Sequence, residues 1–193
     1  MNLRTLAALA GFVAVSCSCT MRSTTTARTA IEQALLSQAS ERSIALMDFK
    51  SLAGKSFVIK EDKWDAVDGK FVLAQLREQL LASGLTAADK EESATLLVYP
   101  RSGAHGIDDS EFLLGLPAIP VPIPTVGTLQ TPELALFAIK RQRGRDRMGV
   151  EVEERKTGVL AKQTDMIATQ TRYDRYTILI FFGFHTTDLG KPF

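Results

Sequence analysis

The stretch from residue 102 to residue 110 contains the side chains that come closest to a catalytic set. It holds His105, Asp108 and Asp109 together with two serines and two glycines. A histidine oriented by a carboxylate, here His105 by Asp108, can act as the general base of a hydrolase. No nucleophile elbow or oxyanion motif accompanies the pair, and the only other histidine is His185. We therefore interpret the stretch as a glycine-hinged polar loop and predict no catalytic residues and no enzymatic activity.

Metal ligands and phosphate-binding motifs are also missing from the sequence. The two histidines are far apart in the chain, and the carboxylates show no ligand spacing. The residues Gly54–Lys55–Ser56 resemble the end of a phosphate-binding loop, but Phe49 occupies the position of its first glycine. The sequence therefore predicts no metal site and no cofactor.

The densest cluster of charge lies between residues 140 and 147. Its five cations are Lys140, Arg141, Arg143, Arg145 and Arg147. Such a cluster can bind an anionic surface, at about 1 kcal/mol per charge. The alternative is a solvated hairpin tip that turns at Gly144 and whose cations discourage edge pairing. Over the whole chain, 23 Lys and Arg face 22 Asp and Glu, which argues against a nucleic-acid-binding protein.

The N-terminus has the composition of an export signal. Residues 1–4 carry a basic charge, and residues 5–15 are apolar but shorter than the roughly 20 residues that span a bilayer. Small residues then precede Cys17, so that the segment resembles a bacterial lipoprotein signal cleaved after residue 16. We predict lipidation of Cys17, with Cys19 as the alternative; the other interpretation is an ordinary secretory peptide that is cleaved nearby, with both cysteines incidental. Both cysteines of the chain lie here, which leaves none for a disulfide in the domain.

Residues 17–28 are rich in Ser and Thr and predict a flexible tether that reaches roughly 35–40 Å when extended. Ser18, rather than Asp, follows the predicted anchor. By the sorting rule of enteric bacteria, this residue favours the outer membrane, with the domain facing the periplasm.

Two apolar segments are candidates for contact with a partner. From Leu116 to Pro124, proline alternates with Ala, Ile and Val, so the segment cannot lie in a central strand and should run extended. It either packs on the domain or presents an apolar surface to a partner; the candidate contact residues are Leu116, Ile119, Val121 and Ile123. The segment 177–184 is apolar on both faces and predicts a core strand, with membrane or subunit contact as the alternative.

The elements that must hold these groups predict one α/β (α+β) domain over residues 29–193. Thr29 and Glu32 have the spacing of a capping box, which begins a helix that ends near residue 47. A strand at 55–60, a helix at 69–83 and a strand at 94–99 form a β-α-β unit. Asp68 is expected to cap the second helix and Gly84 to end it. A long Gly/Pro loop at 100–132 and an antiparallel meander follow, giving a mixed sheet of five or six strands with two main helices on one face.

Several blocks of the chain, namely residues 28–37, 101–104, 114–120, 131–134 and 140–144, resemble an uncharacterised family of bacterial envelope lipoproteins (domain of unknown function, family 6655). The resemblance implies a membrane anchor and no assigned chemistry. More distantly, the chain is similar to lipoproteins of the curli-secretion and TolB N-terminal type.

These features together lead us to expect a membrane-anchored envelope lipoprotein that binds or scaffolds another component without catalysis. We expect it to be held by its N-terminal lipid, to have an envelope protein or glycan as partner, and to bind no nucleic acid. The alternatives are an oligomeric assembly or secretion element of the envelope and, less favoured, a hydrolase that acts on envelope polymers.

Overall fold

The computed structural model of the protein describes residues 28–64, 66, 68–123 and 127–190. The predicted signal peptide, Cys17, Cys19 and nearly all of the predicted tether lie outside the described residues. The helices are α1 (Ala30–Ala45) and α2 (Gly69–Ala82). The strands are β1 (Ser56–Ile59), β2 (Thr86–Ala87), β3 (Leu96–Leu116), β4 (Pro120–Ile123), β5 (Gly127–Gln130), β6 (Leu134–Glu154), β7 (Leu160–Gln163), β8 (Ile167–Ile178) and β9 (Phe182–Thr187).

The first third of the domain forms as the sequence predicts. Strands β1 and β3 are parallel and are joined through α2. The Thr29 hydroxyl accepts a hydrogen bond from the amide of Glu32, whose carboxylate accepts one from the amide of Thr29. Gly84, with φ of +88°, ends α2, and the amide of Leu85 returns to the carbonyl of Leu80. The capping box and the glycine stop are therefore confirmed.

Asp68 is the N-cap residue of α2, as predicted, but its side chain does not cap the helix. Its backbone is left-handed, and its side chain makes no hydrogen bond to the helix. Its carboxylate instead accepts a hydrogen bond from Arg28, with Nη1 at 2.7 Å. This ion pair ties the start of the described chain to the entrance of α2.

The predicted long loop at 100–132 is wrong for its first half, because β3 continues to Leu116. Strand β3 pairs with β6 along its whole length of 21 residues, which is about 70 Å of extended chain. Gly103 is accommodated by an irregularity in the register between Ser102 and Ala104. The stretch around His105 is therefore part of a strand rather than a hinged loop.

The predicted hairpin turn at Gly144 is also wrong, since Gly144 lies in the middle of β6. A Cβ at this position would lie 2.8 Å from the backbone carbonyl of Leu35 in α1 and 2.5 Å from the Thr171 hydroxyl oxygen. The glycine lets α1 approach the sheet closely, and the Thr171 hydroxyl donates a hydrogen bond of 2.8 Å to that Leu35 carbonyl.

The main sheet has seven strands, rather than five or six, in the order β2-β1-β3-β6-β8-β9, with β7 beside β6. The helices cover one face, as predicted, and we call this the inner face and its opposite the outer face. The core lies between the helices and the inner face; its largest fully buried side chains include Phe49, Phe57, Leu76, Leu80, Leu96, Met148, Val150 and Val152.

The two predicted apolar segments form hairpins. The proline-spaced segment contributes β4, which pairs only with β5 in a separate two-stranded sheet, so its exclusion from the central sheet is confirmed. The segment 177–184 is not a single core strand. It turns at residues 179–181 between β8 and β9, and its large side chains are exposed.

Candidate functional site

His105 forms a buried pair with Asp146, and not with Asp108. His105 Nδ1 lies 3.1 Å from Asp146 Oδ1, and the side chains are only 3% and 1% exposed. Asp108 lies on the outer face, where its carboxylate is 2.6 Å from Nε of Arg145. Asp146 shares the inner face with Gly144, so the pair lies on the side that α1 covers. The catalytic pairing of His105 with Asp108, which the sequence analysis considered and did not favour, does not form, because the two side chains point to opposite faces of β3.

Alternation along the strands assigns every side chain of the long sheet to one of its faces. Gln142 Nε2 lies 3.5 Å from Glu32 Oε1 of α1, which places even-numbered residues of β6 on the inner face. This contact also marks where α1 begins above the sheet. Residues of β6 before Lys140, and the strands beside them, therefore extend beyond the N-terminus of α1.

This extended end of the sheet is apolar on its outer face, and we call that surface the distal apolar face. It consists of Phe112 and Leu114 of β3, Phe137 and Ile139 of β6, Tyr176 and Ile178 of β8, and Phe182 and Phe184 of β9. The Tyr176 and Phe184 rings stack at 4.9 Å, and those of Phe112 and Phe137 lie 6.4 Å apart. The side chains on β3 and β9 are exposed, with Phe112 and Leu114 each at 56%, whereas those on β6 and β8 between them are half-buried.

The turn between β8 and β9 adds three apolar side chains to the same end. Leu179 and Ile180 have φ of +48° and +69°, a conformation that is unusual for a β-branched residue. Their amides donate to the carbonyls of Leu136 and Ala135, which fixes the turn against β6. Phe181 is 85% exposed. Turns normally consist of Gly, Asn, Asp, Pro and Ser, so three consecutive large apolar residues are unusual for an exposed turn.

The predicted contact residues of the proline-spaced segment lie at the same end. Leu116 ends β3, and the side chains of Leu116, Ile119 and Val121 are all exposed. Ile123 ends β4, and its side chain lies outside what the structure describes. Leu116 thus follows directly on the distal apolar face along β3, and Ile119 and Val121 lie just beyond it in the chain.

The predicted cationic cluster is a row along β6 rather than a hairpin tip. Arg141, Arg143, Arg145 and Arg147 occupy alternate positions and face outward. Lys140 faces inward, with Nζ 3.1 Å from Glu111 Oε1.

Only part of this row is neutralised within the domain. The Arg143 guanidinium makes a two-point contact with the buried carboxylate of Asp174, and Arg145 pairs with Asp108. Arg141 and Arg147, and Arg172 on neighbouring β8, form no ion pair with any residue that the structure describes. The charges of these three arginines on the outer face are therefore not neutralised by any described residue.

The other end of the outer face is covered by paired charges. The Glu151 carboxylate lies 2.7 Å from Lys63 Nζ and 3.3 Å from Arg101 Nη1. The hydrogen bond from Lys63 lowers the pKa of Glu151, and Arg101 adds to the effect. Along the strands the outer face thus changes from paired charges, through unpaired arginines, to apolar side chains.

Neither a metal centre nor a spanning helix is found within residues 28–190 as described. No three His, Cys, Asp or Glu side chains there are placed to hold a metal ion. Neither described helix has the length and apolar character needed to cross a membrane.

The seven-stranded mixed sheet with two helices on one face defines a single-domain α+β protein. The chain belongs to a family of unknown function, DUF6655, whose profile matches residues 16–187. The match confirms the resemblance to family 6655, and the more distant similarity to curli-secretion and TolB N-terminal lipoproteins stays a prediction. A search of curated proteins gives no match.

Proposed function

We propose that the protein is a lipoprotein of the bacterial cell envelope that binds or scaffolds another envelope component without catalysis. A lipid on Cys17, with Cys19 as the alternative, would hold it at the outer membrane facing the periplasm. The observation that carries the proposal is the distal apolar face with its apolar turn. A contiguous exposed apolar surface of this kind usually marks a site of interaction.

The shape of the domain supports a contact role for this surface. The surface lies on the outer face of the sheet, opposite the two helices, so neither helix covers it. The strands that bear it run back through the core under both helices, where Met148, Val150 and Val152 are fully buried. The contact surface is therefore part of a rigid sheet, which reduces the entropy that binding would cost.

A second candidate function is an oligomeric assembly or secretion element. Within the described residues, β9 pairs only with β8, and β3 beyond Val98 pairs only with β6. These two free edges lie on opposite sides of the apolar end, where a neighbouring copy could add a strand. An anchor-free protein that stays monomeric at high concentration in sedimentation would count against this function.

The less favoured hydrolase candidate would have used His105 with Asp108, and these two side chains face away from each other. The pair that does form, His105 with Asp146, is buried and offers a substrate no access. Its remaining ring nitrogen, Nε2, has no hydrogen-bond partner among the described residues. We therefore interpret the pair as structural.

Photo-crosslinking in intact cells tests the contact surface. A photoreactive residue at Leu114 should give crosslinked products, whereas one at Thr157, in the exposed turn before β7, should give few. The substitutions Phe112→Asp and Ile119→Asp should remove the products formed from position 114. Unchanged products in that variant, or equal yields from both positions, would refute the assignment. Mass spectrometry of the mature N-terminus tests the anchor separately, since an unacylated residue there overturns it.

A further inference from the structure

The distal apolar face and the unpaired arginines lie on the same side of the sheet. We infer that together they dock the outer face onto an anionic lipid bilayer. The inference rests on the proposed function and specifies it: the component contacted is the membrane to which the chain is anchored. A protein partner or a second copy of the chain would be a different outcome of the test below.

The composition of the outer face fits the interfacial zone of a membrane. Aromatic side chains prefer the level of the headgroups, where an apolar ring body meets a partly hydrated layer. The distal apolar face has Phe112, Phe182 and Phe184 together with Tyr176. Beyond them, the exposed side chains of Leu179 and Phe181 continue the apolar surface into the turn between β8 and β9.

The unpaired arginines give this surface charge complementarity to anionic lipid. Arg141, Arg147 and Arg172 follow the apolar side chains on the same face, and all three are exposed. Each cation near an anionic surface strengthens binding by about fivefold. A neutral apolar partner would leave these cations without a function, whereas anionic headgroups would neutralise them.

The free strand edges determine how the sheet can meet the bilayer. Edge amides and carbonyls that enter hydrocarbon without partners are too costly to persist. Among the described residues, both β9 and the distal part of β3 have such an edge at the apolar end. The sheet must therefore lie with its outer face against the lipid, which keeps both edges at the level of the hydrated headgroups.

The tether has the reach that this arrangement needs. Residues 18–28 extend to about 36–40 Å. They join α1 above Gln142, on the inner side of the sheet. The path to the outer face crosses the layer of the helix, about 10 Å, and then passes a sheet edge two strands away, about 10 Å. A lipid on Cys17 can thus sit in the bilayer under the distal apolar face.

A fluorescent label at chosen positions tests the docking in the acylated protein. In a Cys19→Ser background, the lipid occupies the thiol of Cys17, so an introduced cysteine is the only free thiol. The label nitrobenzoxadiazole would be placed through Leu114→Cys or, as the control, Thr157→Cys. The proteins are reconstituted into vesicles of phosphatidylcholine with or without phosphatidylglycerol. In the anionic vesicles, we expect the fluorescence intensity of a label at position 114 to rise severalfold and its emission to shift to the blue. The fluorescence of a label at position 157 should not change.

A charge variant tests the role of the cations. Arg141→Gln with Arg147→Gln should lower the ratio of docked to free domains about 25-fold in anionic vesicles. The matched control, Lys70→Gln with Lys156→Gln, removes two exposed cations outside the outer face and should leave the ratio unchanged. An equal effect of both variants would show that only net charge matters and would overturn the assignment of the arginines.

The remaining outcomes separate this inference from the proposed function. If the label at position 114 stays in water but crosslinks to a protein in cells, the contact surface stands and the lipid assignment is wrong. If the emission of this label shifts to the blue without vesicles as the protein concentration rises, a second copy of the chain covers the face and the lipid assignment is wrong. If it neither shifts nor crosslinks, the inference and the proposed function both fail.

Discussion

Removal of the His105 imidazole is the sharpest test of whether the buried pair with Asp146 is structural. The substitution His105→Ala leaves the Asp146 carboxylate, 1% exposed, without its only described hydrogen-bond partner. Leaving a buried polar group without its hydrogen-bond partner costs about 1–3 kcal/mol, because that group stays buried and unpaired. We therefore expect His105→Ala to lower the free energy of unfolding by that amount.

The double variant separates the pair's interaction from the loss of packing. Replacing both members by leucine removes the buried polar atoms together and fills most of their volume. Such replacements are often neutral or stabilising. We expect the double variant, His105→Leu with Asp146→Leu, to lose less unfolding free energy than the two single leucine variants lose together. The difference should be at least about 2 kcal/mol.

Urea unfolding followed by circular dichroism measures both effects. The anchor-free protein, with Cys17→Ser and Cys19→Ser, serves as the reference at near-neutral pH. The m-value should stay constant, since the surface exposed on unfolding does not change. Two results would mean that water reaches the pair. One is a decrease in unfolding free energy below about 1 kcal/mol for His105→Ala, and the other is a double variant whose decrease equals the sum of the two single ones. The structural interpretation would then be wrong, and catalysis at His105 would need a new test.

Two further predictions concern the contacts of α1. Gly144→Ala should destabilise the domain by about 1–3 kcal/mol in the same assay, because its Cβ would meet the Leu35 carbonyl; Gly106→Ala, which meets nothing within 4 Å, is the control. Burial raises the pKa of Asp188, but hydrogen bonds from the Arg172 amide and from Arg42 lower it more. The stabilisation that comes from the lowered pKa of Asp188 is present above the unfolded pKa of about 3.9 and is lost as the pH falls. Asp188→Asn should therefore make the fall in unfolding free energy on acidification smaller, by less than about 1 kcal/mol.

Local signals in the sequence were enough to predict the β-α-β start. The capping box at Thr29 and the glycine stop at Gly84 involve residues within a few positions of each other, and both form as expected. The apolar periodicity of the two main helices predicts buried positions that include Leu35 and Leu76, and both are buried. The same periodicity also predicts Leu46 and Phe71 to be buried, and this is wrong, because they are 67% and 36% exposed. Contacts of short range in the chain therefore sufficed for this part of the fold.

The long strands were missed because their glycines serve contacts that are distant in the chain. Gly144 is required by the approach of α1, and a Cβ at Gly103 would come within 3.0 Å of the Arg147 carbonyl. In the sequence alone, glycines among polar residues indicate turns. The partner of His105 was missed for the same reason, since Asp146 is brought to it only by the pairing of β3 with β6.

One signal for the contact surface was nevertheless present in the sequence. Arg141, Arg143, Arg145 and Arg147 recur at every second position, which is the period of one face of a strand and not of a turn. On the paired strand, Phe112 and Leu114 recur with the same period and face the same side. Because one rigid sheet carries both sets, the arginines and the apolar side chains cannot bind independently. Any surface that takes the apolar end must also accommodate the charge of Arg141 beside it, and this coupling is what favours an anionic membrane over a neutral protein groove.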